Sequence, residues 1–190
     1  MKLISAKYRK MNTKLHKHPR GFGGSGFRWA DIIITLMEKH KISSCLDYGC
    51  GQSTLWKAVL KKNPEFNKIT YTEYDPAIKG KEIVPSLPVD LVLCTDVLEH
   101  IEPEYLINVL HHIKSFSKKI VFFNIALHKA NKKLPNGRNA HLIIRPKEWW
   151  EKILFSEIYK GWEFMKVPTL RPNKDFNLII WNSKELENAN

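Results

Sequence analysis

The stretch Cys45-Leu46-Asp47-Tyr48-Gly49-Cys50-Gly51-Gln52-Ser53 decides the fold. Before it, Ile42 to Tyr48 reads as a strand; after it, Leu55, Trp56, Val59 and Leu60 form the apolar stripe of a helix that ends before Pro64. Between the two, Gly49 and Gly51 permit a tight turn and let a ligand approach the backbone, while the amides opening the helix favour a carboxylate or phosphate. Ser53 is placed to cap that helix.

Working outward, strands and helices alternate. Trp29, Ile32, Ile33, Leu36 and Met37 recur at helical spacing ahead of the glycine turn. Beyond it, Ile69 to Tyr74 is a second strand and Asp90 to Thr95 a buried one, its Leu91-Val92-Leu93 continuously apolar. A helix marked by Leu106, Val109, Leu110 and Ile113 starts near Pro103, and Ile120 to Ile125 is the next strand. The polar stretch Lys129 to Asn139 holds the turn signal Pro135-Asn136-Gly137. Trp150, Ile153, Leu154 and Ile158 mark a further helix, and strand-like runs Trp162 to Val167 and Phe176 to Trp181 close the chain. This pattern predicts an α/β sandwich around a mostly parallel sheet, with ligands at the carboxyl ends of its strands.

The glycine turn gains meaning from Asp75, twenty-four residues after Gly51, at the end of the next strand. A carboxylate there accepts hydrogen bonds from both hydroxyls of a ribose. Glu73 shares its face under strict strand alternation and competes for the role, with Asp75 the stronger candidate. The glycine spacing is not G-x-G-x-x-G, which argues against a nicotinamide dinucleotide.

Leu46-Asp47-Tyr48-Gly49-Cys50-Gly51 resembles the first motif of the class I S-adenosylmethionine (SAM)-dependent methyltransferases. Tyr74-Asp75-Pro76 resembles their second motif, and Asp90 to Ile101 their fourth-strand segment. The resemblance covers about residues 40 to 125 and implies a Rossmann-like sandwich, a seven-stranded or slightly abbreviated sheet with helices on both faces. It implies SAM as cofactor: Asp47 with the backbone of Tyr48, Gly49, Cys50 and Gly51 at the methionine end, Asp75 at the ribose, Thr95 and Asp96 along the cofactor. Two features depart from the family pattern. Ser53 replaces a third glycine, and only fourteen residues separate Asp75 from Asp90, so the second helix and third strand are abbreviated or missing. The adenine pocket is then expected near residues 81–84.

Asp96, Glu99 and His100 are spaced i, i+3, i+4, which puts them on one face if the chain turns helical after the strand. With His141 they offer two carboxylates and two imidazoles, a set that suits Mn²⁺, Fe²⁺ or Co²⁺ somewhat better than Mg²⁺. The pattern resembles two metal-dependent branches of the family, the small-RNA 3′-end 2′-O-methyltransferases and the ubiquinone-pathway catechol O-methyltransferases. Bound there, a cation would lower the pKa of the attacking hydroxyl. Without a metal, His100 or His141 is the candidate catalytic base. His111-His112 reads as part of a solvated face, and Trp149-Trp150 as core.

The composition, 190 residues with 43% hydrophobic and 26% charged, bounds the chain to one globular domain. Its longest apolar runs fall far short of the roughly 18–20 residues of a membrane span. Cys45, Cys50 and Cys94 form neither a metal-ligand spacing nor an even disulfide framework, which fits reduced thiols and a cytoplasmic setting. The N-terminus lacks the apolar segment of a secretory signal; being basic and acid-free, it leaves an organellar transit peptide as the alternative. The net charge of +12 is concentrated: residues 1–30 and 118–147 each carry eight Lys or Arg and no Asp or Glu. Such clusters steer an anionic partner, a phosphorylated metabolite or RNA, toward the surface they share.

The expected organisation is therefore a basic N-terminal arm with a glycine-rich lid over residues 1–28, followed by a single methyltransferase domain over 29–190. The expected activity is SAM-dependent methyl transfer (class EC 2.1.1.-) to an oxygen or nitrogen of an anionic acceptor lying between the cofactor and the loop 126–147. A catechol or phenol acceptor is the uncharged rival within the enzyme class. A non-catalytic protein of the same fold that binds nucleic acid through its arm is the reading from outside it.

Overall fold

A computed structural model of the chain describes residues 1–17, 23–169 and 171–187. Arg20 of the basic arm and Gly21 and Phe22 of the expected lid lie outside the described residues. Six strands form one sheet: β1 (Ser44–Tyr48), β2 (Thr70–Tyr74), β3 (Val89–Thr95), β4 (Ser117–Ala126), β5 (Glu163–Val167) and β6 (Asp175–Trp181). Their order is β2-β1-β3-β4-β6-β5. The first four strands run parallel, β6 is antiparallel to β4, and β5 antiparallel to β6. The sheet is the slightly abbreviated form of the Rossmann-like sandwich that the resemblance implies. No helix or strand lies between Tyr74 and Val89, so of the two outcomes the fourteen-residue spacing allowed, abbreviated or missing, the second helix and third strand are missing and β2 is an edge.

Six α-helices accompany the sheet among the described residues: α1 (Ala6–His16), α2 (Ala30–Lys39), α3 (Thr54–Lys62), α4 (Leu106–Phe116), α5 (Lys147–Ile153) and α6 (Ser183–Glu187). Helix α5 widens into a π-turn, Leu154–Ile158. The apolar stripes read from the sequence sort onto the two faces. Ile33, Leu36 and Met37 of α2 and Leu55 and Val59 of α3 pack against Cys45, Leu91, Leu93 and Phe122. Val109, Leu110 and Ile113 of α4, with Trp150 and Leu154, pack against Leu46, Val92, Cys94 and Phe123. β3, covered on both faces, is buried along its whole length. No helix among the described residues is long and apolar enough to cross a membrane.

The N-terminal segment differs from the expected arm. Helix α1 buries Tyr8 and Met11 against Leu134 and is part of the folded body. Its basic side chains conceal a short inward stripe, because lysine and arginine stay in water while the opposite face packs.

Candidate active site

The glycine turn closes on its neighbours. Gly49 (φ +81°) and Gly51 (φ +51°) both have the left-handed backbone that glycine adopts without strain. A Cβ at Gly51 would lie 2.5 Å from the Gly23 carbonyl oxygen, so the turn is packed as tightly as backbone allows. Ser53 does not cap α3; it is itself left-handed (φ +58°), and its hydroxyl accepts from the Lys81 ammonium instead.

Asp47, Tyr48, Gly49, Cys50, Gly51, Asp75, Thr95 and Asp96 all line one cavity of about 540 Å³ at the carboxyl ends of β1 and β3. His100 and His141 line it as well. Asp47 is almost sealed from water and accepts a 2.7 Å hydrogen bond from the Tyr71 hydroxyl. Burial, opposed by that hydrogen bond, pushes its carboxyl up to about 7. Asp75 lies just past the end of β2, where strand alternation no longer applies. Its Oδ1 accepts from the Ala77 amide at 2.9 Å and its Oδ2 stands 3.5 Å from His16 Nε2. Glu73 points elsewhere and pairs with Lys81 at 3.0 Å. Residues 81–84, the expected adenine pocket, do not line the cavity: Lys81 is held at the glycine turn by the Gly51 carbonyl at 3.2 Å.

The expected metal set assembles without Asp96. Glu99, His100 and His141 bring one ligand atom each to within 4.8 Å of one another. Asp96 is left-handed (φ +54°), which breaks the helical spacing, and its carboxylate accepts from the Ser25 hydroxyl at 2.6 Å and Arg171 at 3.5 Å. Glu99 is fully buried. Its Oε1 accepts from the Ala126 amide at 3.2 Å, whereas Oε2 has no hydrogen-bond partner. Burial, with Asp96 nearby, raises its carboxyl well above the usual range. His100 Nδ1 meets the Ala140 carbonyl at 2.8 Å, and His141 Nδ1 meets the His128 carbonyl. Each bond places the ring proton on Nδ1 and leaves Nε2 as the lone-pair nitrogen. Burial, then the neighbouring His141, holds His100 down to about 3, and burial lowers His141 too. Imidazoles kept neutral in this way suit lone-pair donation better than proton abstraction near neutral pH.

A family model for a methyltransferase domain matches residues 26–169. The chain belongs to that methyltransferase-domain family. Among solved structures, an O-methyltransferase family protein from Burkholderia thailandensis is similar, at 12% identity and a TM-score of 0.61. That match covers 96% of this chain and 64% of that one, so the chain spans under two thirds of the length of that neighbour. The plantazolicin methyltransferase BpumL, solved with S-adenosylhomocysteine (SAH), matches at 13% identity and TM-score 0.59, covering 94% of this chain and 91% of that one. The mitomycin 7-O-methyltransferase MmcR matches at 15% identity and TM-score 0.59, covering 90% and 60%. At these identities the likeness establishes the class I methyltransferase fold. No curated protein matches the chain in sequence.

Several residues that shape the methyltransferase site carried no sequence signal of their own. Asn139 fixes the loop bearing His141: its side chain donates to the Ala130 carbonyl at 2.8 Å and accepts from the amides of Ala130 and His141 at 3.0 Å. Leu142 and Ile143 donate to the Glu99 carbonyl at 2.7 and 3.0 Å, bringing that loop back onto the turn that follows β3. His112, expected in a solvated face, is half-buried, with Nδ1 2.9 Å from the Tyr48 hydroxyl; its neighbour His111 is exposed. Trp150 is core, and Trp149 packs edge-on against it.

Proposed function

We propose that the methyltransferase moves the methyl group of SAM to an oxygen or nitrogen of an anionic acceptor, a small metabolite or an RNA. In this reading a divalent cation assists at Glu99, His100 and His141. The observation carrying it is the convergence of those three side chains beside the cavity that the glycine turn and Asp75 line. The donor set fits such a cation: two lone-pair imidazole nitrogens and a buried carboxylate oxygen that meets no donor. One carboxylate with two imidazoles favours Mn²⁺, Fe²⁺ or Co²⁺ over Mg²⁺. When bound, the cation lowers the pKa of an acceptor hydroxyl.

The chain's own residues do the positioning that supplies most of the rate. The amides of the glycine turn and Asp47 hold the methionine end, Asp75 the ribose, and Thr95 and Asp96 the flank of the cofactor. The Ala140 and His128 carbonyls and Asn139 keep both imidazoles aimed. Arg28 and Lys132, in the cavity wall, draw in the negative charge of the acceptor.

Thermal melting with SAH, with and without Mn²⁺, on the wild type and His141→Ala tests this reading. SAH at about 100 times its Kd adds about 2.7 kcal/mol, a rise of several degrees. Mn²⁺ is expected to add a further rise in the wild type and none in His141→Ala. No response to SAH would defeat the cofactor assignment; a Mn²⁺ response that survives His141→Ala would defeat the three-residue site.

A further inference from the structure

Helix α1 is tied to both halves of the cofactor region. At its start, Ser5 gives its amide and hydroxyl to the Glu102 carboxylate at 2.8 and 2.7 Å. Midway, the Tyr8 hydroxyl donates to the His100 carbonyl at 2.6 Å and Thr13 to the Ala77 carbonyl at 2.9 Å. At its end, Gln52 donates to the His16 carbonyl at 3.1 Å, beside the glycine turn. Tyr8, Asn12 and His16, spaced i, i+4, i+8, all line the cavity that Asp75 lines.

Asn12 is 8% exposed, and its amide oxygen is buried without a hydrogen-bond partner. A buried acceptor left without a donor costs about 1–3 kcal/mol, so it marks a place where something absent from the chain itself completes the bond. We propose that Asn12 reads the base of the bound nucleoside, its amide oxygen accepting from the exocyclic amine of adenine.

Position and elimination favour the base over the ribose. His16, by the glycine turn, faces Asp75, the ribose carboxylate, at 3.5 Å. Asn12 lies four residues before His16 on α1, an axial displacement of about 6 Å in the direction away from the glycine turn. That displacement runs toward the Thr13–Ala77 and Tyr8–His100 ties, in the direction a nucleoside extends from its sugar to its base. The other polar groups at that end already have roles, His100 in the proposed cation site among them. Both Glu102 oxygens accept from Ser5, and the Tyr8 hydroxyl is given to a carbonyl. Leu3, Ile4, Ala77 and Ile101 complete an apolar wall with no side-chain acceptor. An adenine amine placed there has Asn12 as its acceptor. Helix α1 thereby does the work of the third strand and second helix that the chain lacks between β2 and β3.

This assignment rests on the SAM reading above, and titration calorimetry on the full chain separates the two. The probes are SAH and S-inosylhomocysteine, in which a carbonyl oxygen replaces the amine. The wild type is expected to prefer SAH by about tenfold, equivalent to about 1.4 kcal/mol. In Asn12→Leu the preference should shrink to about twofold or less. Because the ratio is taken within one protein, a general loosening of α1 cancels. Asn12→Ala gives the same readout should Asn12→Leu fail to melt cooperatively. A variant that keeps the wild-type ratio, or a wild type that binds both nucleosides equally, overturns the role of Asn12. A wild type that binds neither overturns the cofactor reading, and the Asn12 assignment with it.

Discussion

Asp47 holds a carboxyl at about 7 in a site 2% exposed, with the Tyr71 hydroxyl as its neutral donor. Unfolded, the same carboxyl titrates near 3.9. Between about pH 4 and 7 the folded chain therefore binds a proton that the unfolded chain does not. The stability this group contributes is full at the acid end of that window and is lost as pH rises through 7. Asp47→Asn, which removes the charge and keeps an acceptor for Tyr71, is expected to raise the melting temperature of the ligand-free protein by about 2–5 °C at pH 8, by less at pH 5 and by almost nothing near pH 4. A pH series of melts checks this; an equal effect at every pH would contradict the buried-charge account. In the proposed reading, where Asp47 faces the ammonium group of the methionine end, the same substitution should weaken SAH at least tenfold. The residue was legible in the sequence because it sits in the glycine-turn motif. Its shifted titration was not, because Tyr71 and the burial come from the neighbouring strand and helix.

At the scale of elements, the glycine turn, its strand and its helix were readable because their rules are local: periodicity sets the face and glycine sets the turn. The truncated connection between Asp75 and Asp90 was equally legible as a matter of chain length. Helix α1 was not, since its buried side chains, Tyr8, Met11 and Asn12, include only two large apolar members among many basic residues, and hydrogen bonds to distant segments share in its docking. Tyr8→Phe tests that docking. Losing the 2.6 Å bond to the His100 carbonyl is expected to cost about 1–2 kcal/mol, or about 2–6 °C, and to weaken SAH severalfold. A melt within 1 °C or so of wild type, with unchanged SAH affinity, would mean the helix is held by packing alone.

For the whole molecule, the concentrated positive charge sets a further expectation. Arg28 belongs to the first basic segment and Lys132 to the second, and both reach the cavity wall. Binding of an anionic acceptor should then weaken severalfold or more from 50 to 200 mM salt, steeply for an RNA and shallowly for a small anion. SAH, which is zwitterionic, should change less than about twofold. An acceptor whose KM ignores salt would point instead to an uncharged substrate.

The sequence by itself determined the α/β sandwich, the glycine turn with its acidic partner, and a connection too short for a full second helix and third strand, because each follows from interactions within a few residues or from the length of a connection; the class I assignment came from the resemblance of its motifs. Tertiary structure alone decided which side chains meet. His141 reaches His100 and Glu99 because the backbone of Leu142 and Ile143 is bonded to the Glu99 carbonyl and Asn139 locks the loop between. Asp96 leaves the cluster because one left-handed residue reverses the direction its spacing suggested. Asn12 and His16 enter the cavity because α1 folds back across it. Spacing along a chain carries a direction only while the backbone stays regular; at the ends of strands and across loops, packing and hydrogen bonds between distant segments set it.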